Sequence, residues 1–107
     1  MSDQFKAERQ KEISENKIVI YGKGTKLMPM CGFTGMVLEI VRSLEKPFHM
    51  VNILENEEIR SGMKEFSNWP TFPQVYVDGE FVGGCDIVRE MHENGELQQV
   101  VEKAFEA

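Results

Sequence analysis

Cysteine is scarce in this chain: two in 107 residues, Cys31 and Cys85, lying 54 positions apart. Two thiols are too few for a disulfide scaffold, and Met1–Lys6 carries no apolar leader, so a reducing compartment is expected, cytoplasmic unless a targeting segment for a mitochondrial or plastid matrix has been removed. Long apolar runs are missing as well. None approaches the roughly 20 residues that cross a bilayer, so no membrane association is expected. Positive charge is short, with 12 Lys and Arg against 18 Asp and Glu and a net charge of −6, which argues against nucleic acid as a partner. The two histidines, His49 and His92, have no metal-ligand spacing around them and read as structural or exposed. The length suits one domain, 1–107, with a helix over 1–16 and a core over 17–107.

What is present is a regular succession of elements. Phe5 to Asn16 reads as a charged helix with few apolar anchors. Lys17 to Tyr21 holds the run Ile18-Val19-Ile20-Tyr21, which suits a central parallel strand buried on both faces. From Phe33 to Leu44, the residues Phe33, Met36, Val37, Ile40, Val41 and Leu44 fall on one helical face, and Pro47 stops it. Phe48 to Ile53 predicts a second strand. Glu57 to Ser67 predicts a helix with Ile59, Met63 and Phe66 inward. Val75–Val77, Asp78-Gly79 and Glu80–Val82 predict a hairpin. Ile87 to Glu93 predicts a helix N-capped by Asp86 and closed by Gly95, and Leu97, Val100, Val101, Ala104 and Phe105 form the face of a last one. The order α-β-α-β-α-β-β-α-α is that of a thioredoxin-like α/β fold, a four-stranded mixed sheet flanked by helices.

The chemistry concentrates at Cys31. It follows a strand and opens a helix, where the helix dipole and free N–H groups favour thiolate. A two-cysteine redox centre would place a second thiol three positions on, where this chain has Thr34. Lys23, Lys26, Arg60 and Lys64 flank or follow that turn, while Asp86 to Ala107 holds six acids against two Lys and Arg. Cations beside a thiol on an acidic protein suggest a small anionic ligand; taken singly, each reads more as a solvated surface residue. Met28 and Met30 form either a soft apolar rim or loop filling, and Trp69 reads as a packing residue more than a stacking platform. Gly83-Gly84-Cys85-Asp86 offers glycine backbone and a helix start to a ligand, or is a plain capped helix.

Lys23-Gly24-Thr25, Pro29-Met30-Cys31-Gly32-Phe33-Thr34, Asn68-Trp69-Pro70-Thr71-Phe72-Pro73-Gln74 and Gly83-Gly84-Cys85-Asp86, in this order, resemble the monothiol glutaredoxins of the Cys-Gly-Phe-Ser type, over nearly the whole chain from Lys17. The resemblance implies that Pro73 is a cis proline near Cys31, turning the Phe72 backbone toward the thiol for main-chain pairing with an extended ligand. It implies glutathione as ligand, its γ-glutamyl charges met by Gly84, Cys85 and Asp86 and its glycyl carboxylate by Lys23 and Arg60, with Lys64 one turn further on. It implies a 2Fe–2S cluster held by Cys31 from each of two chains and by two glutathione thiols, a homodimer around the cluster and a monomer without it. A carrier that takes clusters from a scaffold and passes them to apo-proteins in cluster assembly and iron homeostasis follows, with a BolA-like protein as a further partner. The alternative is a glutathione-dependent thiol–disulfide oxidoreductase, with Cys31 as nucleophile and Cys85 either resolving or a small buried side chain. The extended loop Lys23–Met28 argues against fast turnover, so enzyme activity is at most weak. Thr34 stands where the family usually has Ser and stiffens that position.

Overall fold

The computed structural model describes residues 1–106; Ala107, the last residue of the expected domain, lies outside the described residues. Strand β1 (Ile18–Gly22) is buried along its whole length. It has a neighbour on each edge and helices on both faces, so a continuously apolar run is the sequence that fits there. It pairs in parallel with β2 (His49–Asn52), Ile20 opposite Met50, and antiparallel with β3 (Gln74–Val77), Ile20 opposite Val75. Strand β4 (Glu80–Gly83) completes the order β2-β1-β3-β4 through the hairpin at Asp78-Gly79.

The two-residue period of the strands divides the apolar residues between two cores. Ile18, Ile20, Val75 and Val77 face one side, against α2 (Gly32–Ser43), α4 (Cys85–Glu93) and α5 (Glu96–Ala104). Val19, Tyr21 and Tyr76 face the other, against α1 (Asp3–Glu15) and α3 (Glu57–Ser67). The expected strands and helices are all present, with ends displaced by one or two residues. Helix α2 buries Val37, Leu38, Ile40 and Val41 but not Phe33, which is 60% exposed at its first turn. Helical periodicity places Phe33 on the inner face, but the α2 start projects beyond the core it would have filled.

Two further corrections concern α4. It begins at Cys85, with Gly84 as N-cap, two residues before the expected start. Asp86 is therefore in the first turn, not capping it, and its carboxylate is free to face solvent. Gly95, at φ +83°, ends α4 and also caps the start of α5, a left-handed position that glycine adopts without cost.

Helix α1 is thinly attached. It buries only Phe5 and Ile13, each contributing roughly 1.5–3 kcal/mol. Polar contacts supply the rest: the Tyr21 hydroxyl donates to Glu12 Oε1 at 2.5 Å, and His49 Nε2 lies 3.1 Å from Glu12 Oε2. Burial, reinforced by that bond to a carboxylate, pushes the Tyr21 phenol far above its ordinary range. Tyr21→Phe removes the donor and leaves Glu12 half-satisfied. Urea denaturation should show a loss of about 1–3 kcal/mol; an unchanged midpoint would mean that water replaces the phenol at no cost.

Candidate active site

The strand ends converge on a cavity of about 650 Å³ whose walls come from five parts of the chain. Cys31 and Phe33 stand at the α2 start, Arg60 and Lys64 come from α3, Trp69 to Pro73 form the loop before β3, and Gly84 to Ile87 open α4. Lys23 enters from the end of β1. The structure thus brings together Lys23, Cys31, Arg60, Phe72, Pro73, Gly84, Cys85 and Asp86, the residues singled out in the sequence, and Lys64 with them. Lys26 departs from its expected place. Its ammonium is held by the Phe48 carbonyl and sits 4.2 Å over the Phe48 ring, so it is spent against β2 and does not reach the cavity. Met28 and Met30 are exposed but line another part of the surface.

Cys31 is the N-cap residue of α2 and half-buried. No N–H closes a full capping hydrogen bond onto its Sγ. Even so, the Thr34 backbone N–H, opposed by partial burial and joined by the Phe33 N–H, the Lys23 charge and the Thr34 hydroxyl, holds the thiol below its usual range. Cys85 is the opposite case. Burial first, then the neighbouring Asp86 carboxylate, pushes its thiol up. Its S–H points to Met36 Sδ at 3.6 Å, and neither cysteine is in a disulfide. One thiol is prepared to ionise and the other to stay protonated.

Three polar side chains position this arrangement. Thr34 is fully buried, and its Oγ1 accepts the Lys23 N–H at 3.1 Å, tying the end of β1 to the start of α2. Its methyl group fits against Gly22, where an added Cβ would come within 2.9 Å of it. Gln74, also fully buried, donates through Nε2 to the Trp69 and Thr71 carbonyls at 3.2 and 3.3 Å, fixing the loop that leads into the cis Phe72–Pro73 bond. Asn52 does the same for the loop before Cys31, accepting from the Gly24 and Leu54 N–H groups, each at 3.0 Å. Gly24 itself sits at φ +103°, and a Cβ there would lie 2.4 Å from the Met28 carbonyl oxygen. Trp69 packs on Phe81 at 5.8 Å between centroids, as a packing residue does, and also walls the cavity.

Among the described residues no group of three or more His, Cys, Asp or Glu side chains is arranged to hold a metal ion, and no helix is long and apolar enough to cross a membrane.

A thiol held below its usual range at a helix start, sharing a cationic cavity with a cis proline on a β2-β1-β3-β4 sheet, defines a thioredoxin-like protein of the glutaredoxin class. The glutaredoxin family model matches residues 18–82. A chloroplastic monothiol glutaredoxin of Arabidopsis thaliana is 53% identical over 98% of this chain, and a monothiol glutaredoxin of Synechocystis is 51% identical over 98% of both chains. This chain spans about three-fifths (61%) of the Arabidopsis relative's length. The solution structure of reduced poplar apo GrxS14 superimposes with a TM-score of 0.84 at 55% identity, covering 94% of this chain and 92% of that one. The chain belongs to the glutaredoxin family, in its monothiol branch.

Thr34→Ser keeps the hydroxyl and deletes a buried methyl. It should cost about 1 kcal/mol in urea denaturation and leave the pH midpoint of Cys31 alkylation by iodoacetamide nearly unmoved. Thr34→Val removes the acceptor of the Lys23 N–H and should move that midpoint upward. Equal midpoints in wild type and Thr34→Val would show that the hydroxyl does not help hold the thiolate.

Proposed function

We propose that this chain is a carrier of 2Fe–2S clusters that uses glutathione as an external ligand. The observation that carries the proposal is the pairing of a thiolate-prone Cys31 with a cavity walled by Lys23, Arg60 and Lys64 on one side and Asp86 on the other. Glutathione has one free carboxylate at its glycyl end and an ammonium with a second carboxylate at its γ-glutamyl end. Arg60 and Lys23 meet the first, and the α4 N-terminus at Gly84 and Cys85 together with the Asp86 carboxylate meets the second. The Phe72 backbone beside Pro73 pairs with the cysteinyl main chain and brings the glutathione sulfur next to Cys31.

A 2Fe–2S cluster takes about four thiolates. Cys31 is the thiol this chain offers as a ligand, since Cys85 is buried and its thiol is pushed up by that burial and by Asp86. Two chains and two glutathiones complete the set. The cluster is then cargo, held half by an exchangeable small molecule, and the assembly is a homodimer that reverts to monomers on delivery. The donor is a scaffold and the recipients are apo-proteins, with a BolA-like protein as a further partner at the same face. A buckwheat glutaredoxin has been solved as a glutathione complex and a poplar glutaredoxin in a holo form; the first supports glutathione as a ligand that this fold accommodates. A reducing cytoplasm or organelle matrix suits a free thiolate.

The exposure of Cys31 favours a second reading, thiol–disulfide exchange. Its thiolate would attack the glutathione sulfur of a glutathionylated protein, releasing the protein thiolate and forming a Cys31–glutathione disulfide. A second glutathione thiolate would then regenerate Cys31 and leave as glutathione disulfide.

Anaerobic reconstitution with iron, sulfide and glutathione, followed by size exclusion with visible spectra across the peak, separates the two. A coloured dimer that requires glutathione is expected, and Cys31→Ser should lose it entirely. Stoichiometric cluster in Cys31→Ser would refute the ligand assignment, and a colourless wild-type monomer would leave the exchange reaction as the function.

A further inference from the structure

The cations Arg60 and Lys64 stand one turn apart on α3 and enter the cavity together. Gly62 lies between them in sequence and, at 100° per residue, on the opposite face of the helix. That face is occupied by α1. The Phe5 ring rests directly on the Gly62 backbone, so closely that a Cβ there would sit 2.4–2.9 Å from three ring atoms. Phe5 is 5% exposed. The start of α1 is fixed around it: the Phe5 N–H donates to the Ser2 hydroxyl at 3.1 Å, the Met1 ammonium reaches Glu65 on α3 at 3.3 Å, and the Arg9 guanidinium covers the ring at 5.4 Å. Helix α3 has few other fixings. Met63 alone is fully buried, with Ile59 and Phe66 partly so. Helix α1 lies outside the 18–82 match to the family model.

We infer that Phe5 is a positioning residue for the ligand's carboxylate: by filling the slot over Gly62 it sets the roll of α3 about its axis, and with it the direction in which Arg60 and Lys64 enter the cavity. Interiors are close-packed, so a helix seated on an aromatic ring cannot turn without opening a void or driving the ring out. The N-terminal helix is then part of the binding wall although it touches no ligand. The inference rests on the reading of Arg60 as partner of the glycyl carboxylate, and the experiment separates the two.

Calorimetric titration of the reduced full chain with glutathione and with its glycyl ethyl ester, which lacks that carboxylate charge, provides the test. Wild type should prefer glutathione. Phe5→Ala should bind glutathione about five-fold more weakly, the loss of roughly one charge-assisted contact, and the ester within about two-fold of wild type. Phe5→Leu should restore most of the preference, and Phe5→Ala should add nothing in an Arg60→Gln background. An equal loss for both ligands, or an undiminished preference in Phe5→Ala, would overturn the positioning role. A wild type indifferent to esterification would overturn the carboxylate assignment itself, and this inference with it. Should Phe5→Ala fail to fold, Phe5→Val takes its place, with the same outcomes deciding.

Discussion

Everything at the site hangs from the burial of one strand. β1 has helices on both faces and a partner on each edge, and its C-terminal end at Gly22 is the fixed point from which the cavity is measured. One residue later the Lys23 N–H is captured by Thr34, two later the Gly24 N–H by Asn52. The chain then makes its excursion to Met30 and returns, the Met30 N–H bonded to the Lys23 carbonyl at 2.8 Å, so that Cys31 arrives beside the strand it left. The position of the thiol is therefore a property of the sheet, transmitted through three hydrogen bonds, and not of the flexible-looking sequence between Gly24 and Pro29.

The electrostatics of the two cysteines follow from the same geometry. Both stand at helix starts, where the dipole favours an anion. Cys31 is half-exposed beside a lysine and N–H groups, while Cys85 is buried against Met36 with a carboxylate next to it. Position at a helix terminus alone does not lower a thiol: at Cys31 the Thr34 and Phe33 N–H groups, with Lys23 adding to them, outweigh the cost of burial, while at Cys85 burial and the Asp86 carboxylate push the thiol up.

Much of this was legible in the residues. The continuous apolar run of β1, the helical faces of α3 and α5 and the hairpin at Asp78-Gly79 are local patterns, and local patterns survive into the fold. The convergence of Lys23, Cys31, Arg60, Pro73 and Asp86 came from motif order, because no local rule joins positions so far apart. What escaped were contacts defined only in three dimensions. Lys26 looks like its neighbour Lys23 in sequence, yet one faces the cavity and the other lies over Phe48. Phe33 keeps helical register but overhangs the core. Thr34, Gln74 and Asn52 are ordinary polar residues until the fold brings each against backbone groups that it then satisfies, the first two fully buried. The α4 start was misplaced because Asp86 is a better N-cap by propensity than Gly84, whose advantage is close approach, with Trp69 Nε1 only 3.1 Å from where its Cβ would be.

The uneven charge has a kinetic meaning. The acids spread over the chain give it a net charge of −6 and set its far field, whereas Lys23, Arg60 and Lys64 outnumber Asp86 within the cavity. With a Debye length of about 8 Å at physiological ionic strength, an approaching small anion feels little of the repulsive whole until it is close enough to feel the attractive mouth. In dilute buffer that screening is lost and the two fields compete. Added salt then acts in opposite senses on approach and on retention, quickening the encounter while weakening the grip.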